Sequence, residues 1–213
     1  DEVGDTKIST ATGGDDGVEI NDDDANKKRV KYVVGDVNVY VMAERVQYYG
    51  SDGKLITESL KDYTRSTVLK DYGSLDDFLL RWSSTDRKAA IIKELEAQGL
   101  LLEPLAEEVG KDLDVFDLIC HVAFDQPPLT RRERADNVKK RHYFAKYSQQ
   151  AQQVLETLLD KYQDTDLEKI EDIKILTLDP FKNMGSVNEL VAAFGGKPAY
   201  LNAIYELEKQ LYA

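Results

Sequence analysis

Helix start and stop signals recur from residue 58 to residue 212, and they constrain the fold more than any other feature of the sequence. Three Ser or Thr residues stand three positions before a Glu, a spacing in which each side chain satisfies the other residue's free backbone N–H. The pairs are Thr130 with Glu133, Thr165 with Glu168, and Ser186 with Glu189. Glycine accepts the left-handed conformation that ends a helix, and it follows four amphipathic runs, as Gly73, Gly99, Gly110 and Gly195.

These signals predict about ten helices. Their expected ranges are 58–71, 75–82, 84–98, 103–109, 114–124, 130–141, 142–162, 167–176, 186–194 and 198–212. The 142–162 helix has the clearest pattern, because its apolar residues recur mostly at three- and four-residue steps and form one face. No repeat of fixed period appears, so a solenoid is not expected.

Residues 30–57 have a different pattern. Valine and tyrosine alternate with other residues from Val30 to Val41, which is the period of a half-buried strand. We expect turns at Gly35 with Asp36 and at 50–53, and three strands, the second extending through Arg45–Tyr49. The expected fold class is therefore mainly α: a multi-helix domain with a small antiparallel β meander near the N-terminus.

The net charge of −12 is concentrated at the start of the chain. Residues 1–26 hold nine acidic residues and one lysine, so the other 187 residues carry only −4. A glycine-containing, Asp-rich segment with few apolar residues cannot bury enough apolar surface to offset its ordering entropy. We expect residues 1–27 to be an acidic linker or tail, and residues 28–213 to be one helical C-terminal domain. The alternative for the tail is an acidic arm that docks a basic partner.

Composition excludes several protein classes. Domains typically hold ~100–200 residues, so 213 residues predict about one domain. The single cysteine, Cys120, excludes an internal disulfide and a multi-cysteine zinc site, and we expect it in the core. No apolar run reaches the ~18 residues of a membrane helix, and the chain opens without a signal peptide. The expectation is a cytoplasmic protein without a membrane partner, and the missing starting methionine suggests a processed product or an excised fragment.

Most catalytic signatures are missing from the sequence. It has no Walker A loop, no Gly-x-Gly-x-x-Gly, no His-Glu-x-x-His and no Gly-x-Ser-x-Gly. Asp117, His121 and Asp125 follow a helical spacing that metal sites use, but the polar face of a buried helix explains them better. Asp-x-Lys tripeptides at 52–54 and 172–174 match part of a magnesium nuclease site, and chance explains them better among 40 acids. We expect no catalytic residue, metal site or cofactor in this chain, and no ATPase or nuclease activity.

The strongest local charge feature runs from Arg131 to Lys146. Its seven basic residues are Arg131, Arg132, Arg134, Lys139, Lys140, Arg141 and Lys146. On a helix, Arg131, Arg134, Val138 and Arg141 share one stripe, which we expect to be exposed, so that reversing its arginines to Glu should leave folding intact. One interpretation of the segment is a solvated face with local ion pairs. The other is a contact to an acidic partner surface or to DNA phosphates. Contacts to phosphates would be salt-sensitive and independent of sequence.

Several stretches together are similar to one known family. They are Glu44-Arg45-Val46-Gln47-Tyr48-Tyr49, Asp52-Gly53-Lys54-Leu55-Ile56-Thr57-Glu58, Asp62-Tyr63-Thr64-Arg65, Asp114 through Asp125, Pro128 through Arg134, Asp179-Pro180-Phe181, Phe194-Gly195-Gly196 and Ala203 through Tyr212. Their order and spacing resemble the C-terminal domain of the R (restriction and translocation) subunit of EcoEI-like type I restriction enzymes. The resemblance covers about residues 28–213.

The resemblance implies a place in a larger enzyme. Such an R subunit carries a nuclease domain and two motor domains that hydrolyse ATP, so ATP and Mg²⁺ are expected upstream of this region. Two R subunits join a methyltransferase core of two M subunits and one S subunit, and the C-terminal domain is thought to attach R to that core. The implied partners are therefore the M and S subunits and the motor domains of the same R subunit.

The residues themselves suit a docking surface. Tyr143, Tyr147 and Tyr212 are candidate exposed aromatics beside the basic stripe, and Tyr and Arg are enriched at binding hot spots. The alternative is a DNA-guiding module, in which the 131–146 segment contacts duplex phosphates without reading sequence. A third interpretation is a domain that only braces the motor of its own chain.

Overall fold

The structure, a computed structural model, describes residues 29–34, 37–42, 45–85, 88–165 and 167–213. The predicted acidic linker, residues 1–27, and the predicted turn at Gly35 and Asp36 lie outside these ranges. The described chain begins with strands and continues with helices, as the sequence predicts. Among its helices, none combines the length and the apolar composition that crossing a membrane requires.

The β meander is confirmed, and the described residues give it four strands where three were expected. The strands are β1 Arg29–Val34, β2 Val37–Met42, β3 Arg45–Tyr49 and β4 Leu55–Ser59, and each pairs antiparallel with the next. Arg45–Tyr49 does not extend the second strand, because it runs back along it. Val46 lies opposite Val41 in the ladder, and both are buried, so this register places the valines on the core face.

Ten α-helices follow the sheet in the described part of the chain. They are α1 Leu60–Asp71, α2 Leu75–Ser84, α3 Lys88–Ala97, α4 Leu102–Val109, α5 Val115–Phe124, α6 Arg131–Lys140, α7 Gln149–Asp164, α8 Leu167–Glu171, α9 Val187–Ala192 and α10 Lys197–Leu211. Short 3₁₀ helices cover Tyr143–Lys146, Ile173–Thr177 and Phe181–Asn183. The mainly α fold class is confirmed.

Side-chain caps explain where several helices begin. Two of the three predicted capping boxes are formed. Thr130 with Glu133 begins α6, and Ser186 with Glu189 begins α9. The third predicted box, Thr165 with Glu168, involves a side chain outside the described residues. Thr165 follows the last residue of α7, and its hydroxyl donates to the carbonyl of Lys161.

The predicted 142–162 helix is divided. His142 has a left-handed backbone (φ 53°), and the 3₁₀ turn Tyr143–Lys146 follows it. Ser148 then caps α7 by accepting a hydrogen bond from the Ala151 N–H at 3.3 Å. The apolar period continued across this boundary because Phe144 packs into the same core as α7, so the period alone did not reveal the break.

Helix α5 lies at the centre of the fold, because apolar clusters pack on two of its faces. Leu118 and Val122 belong to the sheet cluster, which holds Val39, Val41, Val46, Leu60, Tyr63, Leu101 and Leu105. Its other apolar residues belong to the aromatic cluster, which holds Val68, Tyr72, Phe78, Trp82, Ile91, Leu95, Leu100, Leu102, Phe116, Ile119, Cys120 and Ala123. A third cluster joins the buried residues of α6 to α10. A helix with apolar residues nearly all round its axis is a core helix.

We predict that Phe78→Ala destabilises the chain strongly and that Leu80→Ala does not. Both residues lie on α2, but Phe78 is fully buried beside Tyr72, Trp82 and Phe116, while Leu80 is 69% exposed. Truncating a buried Phe typically costs about 3–5 kcal/mol, and a surface change about 0.5 kcal/mol or less. Urea unfolding of the two variants measures the difference. Similar losses for both variants would contradict this assignment of α2's buried face.

Candidate functional site

Arg134, which was expected on an exposed stripe, is buried at the junction of three helices. Its guanidinium donates two hydrogen bonds to the Asp117 carboxylate, one of them at 2.9 Å. It donates a third hydrogen bond to the backbone carbonyl of Leu211. The same group lies 5.0 Å from the ring centre of Phe116 and 4.9 Å from that of Tyr212, distances that suit cation–π attraction. Arg134 therefore joins α6 to α5 and to the end of α10.

A second buried carboxylate, Asp114, lies beside this ion pair. It caps α5 by accepting from the Phe116 N–H at 2.8 Å, and it also accepts from the hydroxyls of Tyr162 and Tyr212. Burial raises the pKa of Asp114, although the Tyr162 hydrogen bond and the Arg134 charge oppose the rise. Burial alone would lower the pKa of Arg134, but the hydrogen bond and charge of Asp117 outweigh that effect and raise it. The cluster therefore places the Arg134 guanidinium beside two buried carboxylates, those of Asp114 and Asp117, and both carboxylates accept hydrogen bonds.

The other two arginines of the stripe also bind backbone carbonyls. Arg131 donates to the carbonyls of Leu113 at 3.0 Å and Lys111 at 2.7 Å, and more weakly to that of Gln163 at 3.4 Å. Arg141 donates to the carbonyls of Gln210 at 2.8 Å and Ala213 at 3.0 Å. The last carbonyls of a helix lack intrahelical partners, so the stripe supplies donors to the ends of α7 and α10.

The prediction that the whole stripe is exposed is therefore wrong for Arg134, which is buried, while Arg131 is half-buried and Arg141 is exposed. Reversing Arg131, Arg134 and Arg141 to Glu would leave the Asp117 carboxylate buried without its cation and several carbonyls without donors. The sequence held one signal of this outcome. Val138 occupies the same stripe and is fully buried, so this side of α6 faces the core.

The remaining basic candidates divide into one paired and three exposed cations. Lys139 forms an ion pair with Asp160 of α7. Arg132 and Lys140 are exposed on α6 without an ion-pair partner among the described residues. Lys146 is exposed, with its ammonium 4.5 Å from the ring centre of Tyr143 and 5.1 Å from that of Tyr147. The structure does not bring the seven candidates together on one surface.

The candidate exposed aromatics are half-buried. Tyr143 and Tyr147 pack on the third cluster, and their hydroxyls lie 3.1 Å apart. Tyr212 contacts both this cluster and the aromatic cluster, with its ring 5.2 Å from Trp82. The expectation of exposed tyrosines is therefore corrected, because these rings close the joints between helices.

The candidate metal triad does not converge. Asp117 is committed to Arg134, the Nδ1–H of His121 donates to the Gln126 carbonyl at 2.9 Å, and exposed Asp125 pairs with Arg65. No group of three or more metal-ligating side chains occurs among the residues that the structure describes. Cys120 is a core residue as predicted, and burial raises the pKa of its thiol to about 12.

The two Asp-x-Lys tripeptides have local structural roles. Asp52 accepts from the Lys54 N–H at 3.1 Å in the turn between β3 and β4, and Asp172 caps the 3₁₀ helix Ile173–Thr177. Neither aspartate approaches a second carboxylate in a metal-binding group within the described ranges. Both tripeptides are therefore explained by turn and cap formation.

An open groove of about 500 Å³ lies beside α3 and α4, and Lys111 and Arg131 are among its lining residues. Clefts of ~300–1,000 Å³ commonly bind ligands. No sequence pattern predicted this groove, because its residues are ordinary members of amphipathic helices. Exposed leucines occur elsewhere on the surface, at Leu69, Leu79 and Leu80.

Comparison with known proteins gives two matches. The family model described as EcoEI R protein C-terminal matches residues 58–212. The type I restriction enzyme EcoAI endonuclease subunit of Escherichia coli is 58% identical over 187 residues, which cover 87% of this chain and 23% of that subunit. This chain therefore spans about a quarter of the length of that relative. No solved structure matches it significantly.

We predict that Arg134→Gln destabilises the chain by about 3–5 kcal/mol, the usual cost of removing one partner of a buried ion pair. Arg132→Gln, the same change two residues earlier on α6, should change the stability by about 0.5 kcal/mol or less, because Arg132 is exposed. Urea unfolding at neutral pH compares the variants. Equal stabilities would show that the Arg134 network does not hold the helices together.

We predict a loss of stability above a pH of about 10, where tyrosines in an unfolded chain ionise. Burial, followed by the charge of Asp114, raises the pKa of Tyr162 and Tyr212 well above that value. Burial and the Glu58 hydrogen bond raise the pKa of Tyr48 to about 12. The native state then binds more protons than the unfolded state, so stability falls as the pH rises.

Ultraviolet absorbance of tyrosinate, followed together with near-ultraviolet circular dichroism, measures this behaviour. The buried tyrosines should ionise only as the chain unfolds. Complete ionisation of all tyrosines with an unchanged dichroism spectrum would contradict the buried Asp114 cluster.

Proposed function

Since this chain belongs to the family described as EcoEI R protein C-terminal, we propose that it is the assembly domain of a type I restriction enzyme R subunit. In that role it docks the ATP-dependent translocase and nuclease of the longer subunit onto the methyltransferase core of M and S subunits. The core then directs restriction to unmethylated DNA. An enzyme that acts on DNA inside the cell works in the cytoplasm, where we propose that this chain is located.

The observation that carries this proposal is that the arginines of the stripe donate hydrogen bonds to backbone carbonyls of their own chain. A DNA-guiding surface needs cations free to release counterions from phosphates, but Arg131, Arg134 and Arg141 bind groups of their own chain. What the described surface offers instead is an open groove with apolar residues, as expected of a surface that binds another protein. A helical body held by an internal ion network supports docking, because a rigid surface loses little freedom on binding.

The DNA-guiding alternative retains Arg132, Lys140 and Lys146, which are exposed. Three phosphate contacts would give a slope of about −3 for the logarithm of the binding constant against that of salt concentration, where seven would give about −6. Weak, steeply salt-dependent binding of this isolated chain to duplex DNA would favour that alternative. We further propose that this region does not itself hydrolyse ATP or cut DNA, and that ATP and Mg²⁺ bind elsewhere in the R subunit.

Light-scattering chromatography of the R subunit with its methyltransferase core tests the docking role. We predict that full-length R co-elutes with the core at moderate salt, and that R ending before residue 28 of this sequence does not. The matched control is full-length R with Arg132→Glu and Lys140→Glu, which should still co-elute because these cations serve only the DNA alternative. Core binding by the truncated subunit would contradict the proposal.

A further inference from the structure

The groove between α3 and α4 follows the seam between two core clusters. Ile92 and Val115 lie against the aromatic cluster, while Ala106 and Leu113 lie against the sheet cluster, and all four line the groove half-buried. Three of its other lining residues are buried. The seam thus presents apolar surface from both clusters along one trough, and apolar surface gains free energy when a partner removes it from water.

The walls of the groove carry carboxylates on both sides. Glu96 lies on the α3 wall, and Glu103 and Glu107 lie one turn apart on the α4 wall. Glu103 is exposed and has no ion-pair partner in the described ranges. Glu107 pairs with Lys111 at 3.0 Å, but both side chains are mostly exposed, and such surface pairs contribute little. A partner cation can therefore approach the α4 wall.

The lining of the groove also includes a cation that is held in place by its own chain. Arg131 lines the groove while its guanidinium donates to the carbonyls of Lys111 and Leu113. This anchoring occupies the Arg131 guanidinium, so the exposed carboxylates of α4 are left for a partner's cations. The arrangement suits a segment with an apolar stripe and flanking Lys or Arg, laid along the trough as amphipathic helices are in hydrophobic grooves.

We propose that this groove is the docking site for a basic amphipathic helix of the methyltransferase core. This inference rests on the proposed assembly function, and it deepens it by naming the surface and the chemistry of the partner segment. Apolar side chains of the helix fill the seam over Ile92 and Ala106. Its basic residues lie against Glu103 and Glu107, where complementary charge adds mainly to specificity and association rate.

Two variants of the full-length R subunit test the groove by different means. Glu103→Lys reverses an exposed charge on the α4 wall, and Ala106→Trp fills the trough with an indole. Each should weaken binding to the M and S core at least about tenfold, the size of effect expected at the centre of an interface. Thermal melting checks that each variant is folded, and Glu103→Lys keeps the test valid if the larger side chain disturbs packing.

Matched controls use the same changes elsewhere. Glu156→Lys reverses an exposed charge on α7, and Leu80→Trp places an indole on the exposed face of α2. Both should bind the core like the unmodified subunit. Weaker binding by Leu80→Trp with normal binding by the groove variants would move the docking site to the leucines of α2 and overturn the proposal.

A photo-crosslinking residue at position 103, with position 156 as control, identifies the occupant. The expected adduct joins position 103 to an M or S peptide with apolar residues at helical spacing and flanking Lys or Arg. An adduct to DNA, to a second R subunit or to an acidic peptide would overturn the proposal. If unmodified R binds the core, but the groove variants bind it equally well and no crosslink to M or S forms, the groove proposal is wrong and the assembly function stands. If unmodified R does not bind the core, both fail.

Discussion

The ion pair between Arg134 and Asp117 is the contact on which the arrangement of helices depends. Asp117 lies on α5, whose other faces already carry two apolar clusters, so its buried carboxylate needs a cation from the remaining side. A buried charge without a partner is costly, and a pair held by several hydrogen bonds offsets its desolvation far better. Arg134 meets this requirement and also binds the Leu211 carbonyl, which fixes α6 and α10 against α5.

The same geometry explains why an Arg is needed and not a Lys. The planar guanidinium donates in a fixed fork, so it can grip one carboxylate with two bonds and a carbonyl with a third while its faces meet aromatic rings. Phe116 and Tyr212 occupy those faces, at 5.0 Å and 4.9 Å. A Lys ammonium is a point donor and could not join the three helices in this way.

Local signals in the sequence predicted local structure well. Helix positions, two capping boxes, the glycine stops and the β meander follow from rules that act within a few residues. The errors occurred where contacts between residues far apart in the sequence determine the structure. The 142–162 pattern continued through a break because Phe144 shares the α7 core, and Arg134 read as solvated because its partner Asp117 is 17 residues away. Spacing cannot show which element packs against a helix.

The candidate site shows the same limit more strongly. A run of seven cations suggested a surface, although the buried Val138 within the stripe marks the side of α6 that faces the core. The groove had no sequence signature, since it arises only where α3, α4 and the start of α5 meet. Charged residues in a short segment are therefore weak evidence for a binding surface until the helix face that buries the apolar residues is known.

One arginine of the stripe also lines the proposed docking surface. Arg131 lines the groove while its guanidinium is hydrogen-bonded to the carbonyls of Lys111 and Leu113, so this part of the lining is held in place before any partner arrives. The floor belongs to two packed clusters, and dense packing resists deformation. A partner that fills such a groove need not order it, so more of the interaction energy appears as affinity. Arg131, one of the cations that first suggested contact with DNA, thus acts indirectly, by holding part of the surface that we propose binds protein.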